Sequence, residues 1–482
     1  MEYHQTPIQM FLLAWLPSYT RKAEHMPVRF DVIIVGGGIS GLVSARKAAQ
    51  QGKSVCVIEA SDRFGGALQG KTLGGVTVDV GAEAFAVARP ETLDLIKELG
   101  LVDRVVAPRR SDSRLIVPQG TFPMPHALLG IPTNPLADDV VAIIGIEEAT
   151  KAAQLDELPV PESWDPQITL GALIRQRLGD QVTDYIATPV VGGVHALHPD
   201  LAEAEAIMPG ITAATTKYGG LSKAAAAIRA SSGVPGAAVN GLVGGMSNLV
   251  DALVQELQEA PNVELFLNTP VHNISKAESS GQSSWEVTTS NKEFLGDHVV
   301  VALDAKNAAR VLTSLPSIHQ PLSRLYVGDV VVFAGLISSD VLDEDPLGSG
   351  ALIAPSTPSI HAKAITHASA KWEWIREAYG PGRHIVRLSY GRDGVINEDL
   401  ADLATIAHAD LELLLGTSMP AFDQAHLARW TGSLLHPRVG HRVNVSELKA
   451  AAASIEGLSL AIAGLAGNGL AGTVSQAHAA IS

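Results

Sequence analysis

The sequence feature that most constrains the fold is a short apolar strand that runs into glycines and then into a helix, at residues 31–41. Gly36, Gly38 and Gly41 hold the first, third and sixth places of a Gly-x-Gly-x-x-Gly pattern. Glycines there permit a tight turn, close approach of the backbone to a pyrophosphate and close packing of helix on strand. The helix N-terminus also points free amides at the anion, so Ile39 and Ser40 are expected to contact it. The pattern predicts a dinucleotide-binding βαβ unit.

The residues that follow supply the context that this pattern needs, because 45 glycines in 482 residues generate chance matches. A helix is expected over 39–51, with Gly52 placed to end it, and a second strand over 54–59. Glu59 ends that strand, where an acidic side chain can accept hydrogen bonds from the ribose hydroxyls of an adenosine. The same acid would repel the ribose phosphate of NADP, so NAD or FAD is favoured.

Length, charge and cysteine content restrict the class of protein. A chain of 482 residues is too long for one simple core and predicts two domains. With 35 basic and 50 acidic residues the net charge is −15, which gives no support for a nucleic-acid partner. The single cysteine, Cys56, lies inside the second strand. It excludes intrachain disulfides, leaves no evident thiol for covalent cofactor attachment and fits the cytoplasm, which is the predicted location.

The first 26 residues do not match the pattern of a targeting segment. Residues 8–17 are mostly apolar, but Arg21 and Lys22 follow this run, whereas the charges of a signal peptide precede it. No apolar run approaches the roughly 18 residues that a membrane helix needs. Because Met26 comes just before the first strand, residues 1–26 are predicted to be an over-extended start or a disordered tail, with a peripheral membrane contact as the alternative.

Two later stretches repeat the combination of glycines with a strand or helix. Arg63 begins a loop that contains a glycine pair, and residues 71–79 are typical of a hairpin about a Gly-Gly turn. Near the C-terminus, a strand over 458–464 leads into a glycine-rich loop, and a helix is expected to begin at Thr473. A helix N-terminus there can stabilise negative charge on a bound ring.

In this order, these motifs resemble those of the flavin amine oxidase superfamily. The matching features are the glycine pattern, Glu59, the Arg63-Phe64-Gly65-Gly66 loop and the segment Asp79-Val80-Gly81-Ala82-Glu83-Ala84-Phe85. Within that superfamily, Gly192-Gly193-Val194-His195-Ala196 is similar to a segment of protoporphyrinogen and coproporphyrinogen oxidases that usually carries tyrosine in place of His195. The spacing from Trp430 to Val439-Gly440-His441 is also similar to that family.

The resemblance covers residues 27–482 and implies an α/β fold, in which a Rossmann-like FAD-binding domain is interleaved with an α+β substrate-binding domain. The FAD-binding domain is expected to comprise residues 27–110, 230–320 and 425–482. The substrate-binding domain is expected to comprise residues 111–229 and 321–424. These boundaries follow the return of strand-like segments after stretches that are rich in proline and in helix-forming residues.

The residue types and the resemblance together give a set of expected contacts with non-covalent FAD. The βαβ unit and the loop after it contribute Gly36, Gly38, Ile39, Ser40, Gly41, Glu59, Ala60, Arg63, Gly66 and Ala67. The resemblance adds Gly81, Ala82, Glu83, Ala84, Val271, Gly464, Gly469, Leu470 and Ala471. No metal site is predicted, because no thiolate or carboxylate completes the histidine pairs at metal-binding spacing.

The resemblance implies oxidation of a porphyrinogen to the porphyrin in haem biosynthesis, with molecular oxygen as acceptor and hydrogen peroxide as product. Coproporphyrinogen III is favoured over protoporphyrinogen IX because no clear membrane anchor is present. Substrate carboxylates require basic partners, so Arg89 is the first candidate, with His195 beside the reacting centre. Further candidates are Lys71, Arg175, Arg177 and Lys217.

Departures from the family pattern keep other functions open. Leu435-His436-Pro437 stands where the family often has Pro-Gln-Tyr, and Ala471 stands where glycine is common. The alternatives are an amine oxidase or carotenoid desaturase of the same superfamily, and a flavin-binding protein without turnover. An aromatic cage for an amine is harder to build from a chain with 5% aromatic residues. The sequence does not determine the oligomeric state.

Overall fold

A computed structural model describes residues 28–110, 112–231, 239–279, 282–467 and 469–481. The predicted extension over residues 1–26 lies outside this range. The first part of the chain forms the predicted βαβ unit and short strands around it. Its elements are β1 (Val28–Val35), α1 (Ile39–Gln50), β2 (Val55–Ile58), β3 (Gly70–Leu73), β4 (Val76–Asp79), β5 (Phe85–Ala86), α2 (Glu91–Glu98) and β6 (Val105–Val106).

The second part is mainly helical, with a π-helical turn at Thr183–Ala187 between two of its helices. Its elements are β7 (Arg114–Val117), β8 (Gly120–Pro123), β9 (Ala127–Leu128), β10 (Ile131–Pro132), α3 (Asp138–Asp156), α4 (Leu170–Val182), α5 (Thr188–His195), α6 (Ala204–Ile207), α7 (Ile211–Tyr218) and α8 (Leu221–Ser231).

The third part returns to alternating strands and helices. Its elements are β11 (Val239–Leu242), α9 (Ser247–Glu259), β12 (Val263–Phe266), β13 (Val271–Ser279), β14 (Gln282–Thr289), β15 (Glu293–Val301), α10 (Ala305–Val311) and α11 (Pro316–Ser323).

The remainder builds a second large sheet and then rejoins the first. Its elements are β16 (Tyr326–Ser338), β17 (Gly350–Ile353), β18 (Ala364–His367), α12 (Ala368–Lys371), α13 (Glu373–Tyr379), β19 (Arg383–Tyr390), α14 (Leu403–Leu415), β20 (Gln424–His436), α15 (His441–Ala453), β21 (Leu458–Leu460) and α16 (Leu470–Ala479).

The first sheet carries the βαβ unit at its centre. Its strand order is β12-β2-β1-β15-β14-β13, and β21 pairs with the second half of β15. Strands β12, β2, β1, β15 and β21 are parallel, so their carboxyl ends lie at one edge, where ligands bind in open α/β sheets. Both faces of these strands are covered, which explains their continuous apolar sequences.

The second sheet has the order β20-β16-β19-β18-β17-β7-β8, and its strands are antiparallel except for the β7–β17 pair. Helix α14 packs on one face, where Tyr390 and Leu411 are fully buried. The helices of the second part of the chain form their own apolar core and pack against β7. Two sheets with different topology and separate cores confirm the predicted mixed α/β fold class.

Two boundaries in the structure can be compared with the sequence-based expectation. The expected border at residue 425 falls at the start of β20, yet this strand pairs with β16 in the second sheet along most of its length. The last helix begins at Leu470 rather than Thr473, because Gly469 (φ 104°) makes the turn that allows an earlier start. The difference at the last helix concerns where an element begins, and the domain border at residue 425 stays a prediction.

Candidate functional site

The turn between β1 and α1 shows why each glycine of the pattern is required. Gly36 has φ 108°, and a Cβ there would come 2.4 Å from the Ala302 carbonyl oxygen. A Cβ on Gly41 would come 1.9 Å from the Gly36 carbonyl oxygen, so Gly41 serves the packing of helix on strand. Gly38, by contrast, has only Gly66 Cα near it, at 3.9 Å, and faces open space. This space is where a ligand can approach the backbone.

That space belongs to a cleft of about 670 Å³ at the carboxyl ends of the parallel strands. Its volume falls within the range of roughly 300–1,000 Å³ that is usual for cofactor sites. The structure brings 14 of the 19 predicted cofactor contacts to its walls. They are Gly36, Gly38, Ile39, Ser40, Glu59, Ala60, Arg63, Gly66, Ala67, Ala82, Ala84, Val271, Gly469 and Leu470.

Glu59 lies at the end of β2 with its carboxylate fixed by the backbone around it. Its Oε2 accepts a hydrogen bond from the amide of Gly37 (2.7 Å), and its Oε1 accepts bonds from the amide and hydroxyl of Ser61 (both 2.8 Å). A carboxylate has about four acceptor positions. Since Glu59 also lines the cleft, it retains capacity for a ribose hydroxyl while its orientation is set in advance.

Arg63 lines the cleft, but most of its hydrogen bonds hold the loop together. Its Nη2 donates to the Gly66 carbonyl (2.8 Å) and to Gln69 Oε1 (3.0 Å), and Nη1 donates to the Phe64 carbonyl (3.2 Å). Burial lowers the pKa of its guanidinium. Arg63 therefore shapes the glycine loop against Gly38, and its expected contact with a phosphate stays a prediction.

The other five predicted contacts do not line the cleft and support it from behind. Gly41 packs α1 on β1, as described above. Gly81 lies where two loops approach each other closely. A Cβ at this position would come 1.9 Å from the Ala67 carbonyl oxygen. Gly464 (φ 92°) bridges to Gly467 in the C-terminal loop, and Ala471 is buried in α16.

Glu83, the fifth, connects the cleft to the second sheet. Its carboxylate pairs with Lys371 Nζ at 2.6 Å and with the Arg387 guanidinium. Arg387 also donates to the Gly81 carbonyl at 2.6 Å. Burial alone would raise the pKa of the Glu83 carboxyl. The positive charges of Lys371 and Arg387 together have a larger effect and lower this pKa to about 2. The side chain that follows Ala82 thus fixes the cleft-lining segment to β19 and α12.

Several cleft residues were not selected from the sequence. They come from the segment between β12 and β13, the β15–α10 turn, α10 and β20, and include Thr269, Leu303, Asp304, Asn307, Arg310, Trp430, Thr431 and Leu434. The β15–α10 turn could be predicted from the sequence, because Asp304 follows a buried strand and is a residue type that caps helices. In the structure it caps α10 by accepting a hydrogen bond from the Asn307 amide (3.0 Å). The sequence singles out Trp430 only by its spacing to Val439-Gly440-His441. Its indole donates to the Val80 carbonyl at 3.1 Å, which places the ring beside the cleft.

The two predicted substrate residues have different environments. The Arg89 side chain is about half exposed, pairs with Glu91 and does not line the cleft. His195 ends α5, and burial lowers the pKa of its imidazole to about 4, so the ring is neutral near pH 7. The next residue, Ala196 (φ 50°), is buried in a small apolar cluster with Val330 and Val332, and Trp430 packs against that cluster. The structure therefore brings the segment of His195 to the cleft and leaves Arg89 on the surface.

The further candidates for carboxylate binding also have local partners. Arg175 forms ion pairs with Asp180 (2.9 Å), Asp184 (2.7 Å) and Asp200 (3.0 Å). Arg177 is buried and donates to the Leu158 carbonyl at 2.9 Å. Neither guanidinium lines the cleft. Among the residues described, no helix is long and apolar enough to span a bilayer.

The chain was compared with known proteins. The model of the flavin containing amine oxidoreductase family matches residues 39–442. The chain is 29% identical over 432 residues to the coproporphyrinogen III oxidase of Mycobacterium bovis, with 86% of this chain and 89% of that protein covered. It is 26% identical over 466 residues to the enzyme of the same name from Bacillus subtilis, with 94% and 97% covered.

A solved structure extends the likeness to the fold. The crystal structure of a candidate protoporphyrinogen oxidase from Exiguobacterium sp. 255-15 superimposes with a TM-score of 0.79 at 26% identity, covering 94% of this chain and 98% of that one. These similarities confirm the resemblance inferred from the motifs. The glycine turn, the cleft and the open approach at Gly38 fit a flavin cofactor. The chain therefore belongs to the flavin containing amine oxidoreductase family and is a flavin-dependent oxidoreductase.

Proposed function

We propose that this protein binds FAD without a covalent bond and oxidises a porphyrinogen, with coproporphyrinogen III favoured, to the porphyrin of haem biosynthesis. The observation that carries the proposal is the meeting of two segments similar to those of porphyrinogen oxidases. Ala196, from the Gly192–Ala196 segment, belongs to a small apolar cluster on which Trp430, a cleft-lining residue, packs. Likeness to coproporphyrinogen III oxidases over 86% of the chain supports the same substrate class.

In the proposed reaction the macrocycle loses six electrons in three two-electron steps. Each pair of electrons, with two protons, converts one molecule of oxygen to hydrogen peroxide. A bound flavin supplies the hydride-accepting chemistry of each step. The protein's own groups bind and orient the substrate: Trp430 is held in place by its hydrogen bond to the Val80 carbonyl, and neutral His195 can exchange hydrogen bonds with a pyrrole.

Binding of FAD is the part of the proposal with the most local support. Glu59 is oriented for a ribose, and the α1 N-terminus faces the cleft for a diphosphate. The sole cysteine, Cys56, is fully buried in β2, which supports non-covalent binding. The cytoplasmic location and the use of oxygen remain predictions within the same proposal.

The amine oxidase alternative would require an aromatic cage around the amine. Among the described residues that line the cleft, Trp430 is the aromatic side chain. This composition favours a porphyrinogen over an amine. The remaining alternative is a flavin-binding protein without turnover. The experiment below distinguishes it from the porphyrinogen oxidase, the amine oxidase and the carotenoid desaturase.

The test is anaerobic mixing of the purified flavin-loaded protein with coproporphyrinogen III, protoporphyrinogen IX, an amine and phytoene, in separate reactions. Bleaching of the oxidised flavin absorbance by a porphyrinogen is the expected result, with faster bleaching by coproporphyrinogen III. Bleaching by the amine or phytoene alone would contradict the proposal and support the corresponding alternative. If none of the four compounds bleaches the flavin, the result supports a flavin-binding protein without turnover and contradicts the proposal.

A further inference from the structure

The last residue of β20, His436, is a buried polar group without a partner. It directly follows the cleft-lining residues 429–435 and is 1% exposed. Its ring packs on Gly328 and Gly394, and a Cβ on Gly328 would come 2.3 Å from it. Neither ring nitrogen has a hydrogen-bond partner among the residues that the structure describes. Buried polar groups are nearly always satisfied, so a ligand or water is expected beside this ring.

A buried cation, Lys363, lies near His436, and a partly buried one, Arg392, lies near Lys363. Lys363 is 3% exposed, and its Nζ donates to the Gly391 carbonyl at 2.8 Å. Arg392 is partly buried and donates to the carbonyls of Ile353 (3.2 Å) and Ala362 (3.1 Å). Carbonyl oxygens satisfy donors but carry no net charge. The positive charge of these side chains is therefore not neutralised by the groups that hold them.

Arg438 adds a third cation from the other side of His436. Its Nη2 donates to the Asp393 carbonyl at 2.9 Å, and its guanidinium lies 4.7 Å from the centre of the Tyr326 ring. Its Nε is buried without a hydrogen-bond partner in the described part of the chain. We call Lys363, Arg392, Arg438 and His436 the basic cluster.

The basic cluster differs from other buried cations of this protein that form ion pairs. Elsewhere, buried Arg46 pairs with Glu98 and Glu256, and Arg387 pairs with Glu83, in a chain of net charge −15. Across the residues described, none of the three cluster cations lies within 4.0 Å of a carboxylate. An uncompensated buried charge costs several kcal/mol, so a counter-charge from outside the chain is expected.

The carboxylates nearest to the cluster are engaged in other bonds. Asp393 accepts a hydrogen bond from the His198 amide at 2.6 Å, and Glu398 accepts one from the Asn397 amide at 3.1 Å. Their charges still act on the cluster, Asp393 on both His436 and Arg392, and Glu398 on both Lys363 and Arg392. The Asp410 carboxylate also acts on Arg392. They reduce the excess of positive charge without occupying the donors.

The position of the basic cluster connects it to the proposed substrate pocket. His195 is one of the titratable groups whose charge acts on His436. Leu434, two residues before His436, lines the cleft and packs in the same small apolar group as Ala196 and Val330. A substrate held between α5 and β20 beside the cleft would therefore present its edge to the cluster.

We propose that Lys363, Arg392 and Arg438, with His436 as a further hydrogen-bonding group, bind a carboxylate of the porphyrinogen. This inference rests on the proposed function and identifies the groups that select an acidic substrate. Guanidinium and ammonium donors match a carboxylate, and burial strengthens each contact by excluding water. A substrate with four carboxylates has more ways to place one here than a substrate with two, which favours coproporphyrinogen III.

The test measures binding of coproporphyrin III and of its tetramethyl ester, in the same detergent, to the flavin-loaded protein. Lys363→Met and Arg392→Gln are each expected to weaken binding of the acid at least about 10-fold, because one partner of a buried charge contact is lost. Neither substitution should alter binding of the ester. Arg324→Gln, which removes a surface partner of Glu447, is the control and should alter neither.

Thermal unfolding of the same variants distinguishes ligand binding from a structural role. Lys363→Met removes an unpaired buried charge and is expected to keep or raise the midpoint of unfolding. If either variant fails to fold, Arg438→Gln, at a less buried site, replaces it. Equal binding by variant and wild type, or equal weakening for acid and ester, would overturn the inference.

The outcomes also separate this inference from the proposed function. If a porphyrinogen bleaches the flavin of the wild-type protein and the variants bind the acid normally, the proposed function stands and the inference about the basic cluster is wrong. Wild-type protein that binds neither porphyrin and is not bleached contradicts both.

Discussion

The cofactor cleft and the basic cluster are built by different means. The cleft is made largely by backbone, because Gly36, Gly38 and Gly66 bring the main chain to its surface. The basic cluster is made by side chains, with three cations and one imidazole held by carbonyl oxygens. A backbone site depends on a few positions where a Cβ does not fit. A side-chain site depends on charges that the fold leaves unpaired. Five predictions test this contrast.

The largest effect is expected at Glu83, which joins the cleft-lining segment to the second sheet. Glu83→Gln leaves the buried charges of Lys371 and Arg387 without their counter-charge. The free energy of unfolding should fall by about 3–5 kcal/mol. Urea denaturation of the cofactor-free protein measures it. A loss of less than about 1 kcal/mol would show that the cleft-lining segment is held independently of the second sheet.

The same ion pair predicts a dependence of stability on pH. The pKa of Glu83 is about 2 in the folded protein, below the reference value of 4.5, so the folded state favours the charged form. Its stabilisation is complete above about pH 4.5 and is lost as the pH falls towards 2. The difference in unfolding free energy between wild type and Glu83→Gln should shrink over that interval. A difference that is constant with pH would contradict the assignment.

The next effect compares two glycines of one turn. Gly41→Ala places a Cβ 1.9 Å from a carbonyl oxygen and should destabilise the cofactor-free protein by about 1–3 kcal/mol. Gly38→Ala meets no protein atom closer than 3.9 Å, so the fold should be retained while flavin affinity falls. Calorimetry of the cofactor-free variants and titration with FAD separate the two. Equal loss of stability in both would remove the distinction between packing and ligand approach.

A smaller effect is expected at Glu59. Glu59→Gln replaces a charged acceptor by a neutral one beside the expected ribose and should weaken FAD binding about 10-fold, or about 1.4 kcal/mol. Fluorescence quenching of FAD on titration measures the affinity. Glu264→Gln, at an exposed position on the neighbouring strand β12, is the matched control and should bind FAD like the wild type. An unchanged affinity for Glu59→Gln would place the ribose elsewhere.

The smallest effect is expected at Arg89, which the sequence suggested as a carboxylate-binding residue. Its guanidinium pairs with Glu91 on the surface, and such pairs contribute about 0–1 kcal/mol. Arg89→Ala should leave porphyrinogen turnover unchanged. A fall in turnover with stability unchanged would restore its predicted role and weaken the contrast between the cleft and the basic cluster.

The cofactor cleft could be read from the sequence because its determinants are close together along the chain. Strand β1, the glycines, α1, β2 and Glu59 all fall within residues 28–59, and each has a local conformational requirement. Five of the 14 predicted contacts that line the cleft come from this stretch, and four more come from the loop directly after it. The exceptions, such as Gly81 and Glu83, have partners that are distant in sequence. Local pattern gives no indication that Lys371 and Arg387 would draw Glu83 away from the ligand side.

By itself, the sequence determined the mixed α/β class and the nucleotide-type turn, since apolar strands, glycine conformations and helix starts are properties of short segments. Only the tertiary structure decided which basic residues remain unpaired. Arg89 and Arg175 find carboxylates nearby. Lys363 and Arg438 lie near His436, and Arg392 near Lys363, without an ion pair to a carboxylate of the described residues. The physical reason is that an ion pair depends on which side chains lie within a few ångströms, and the pairing of β16 with β20 and the packing around it set those distances.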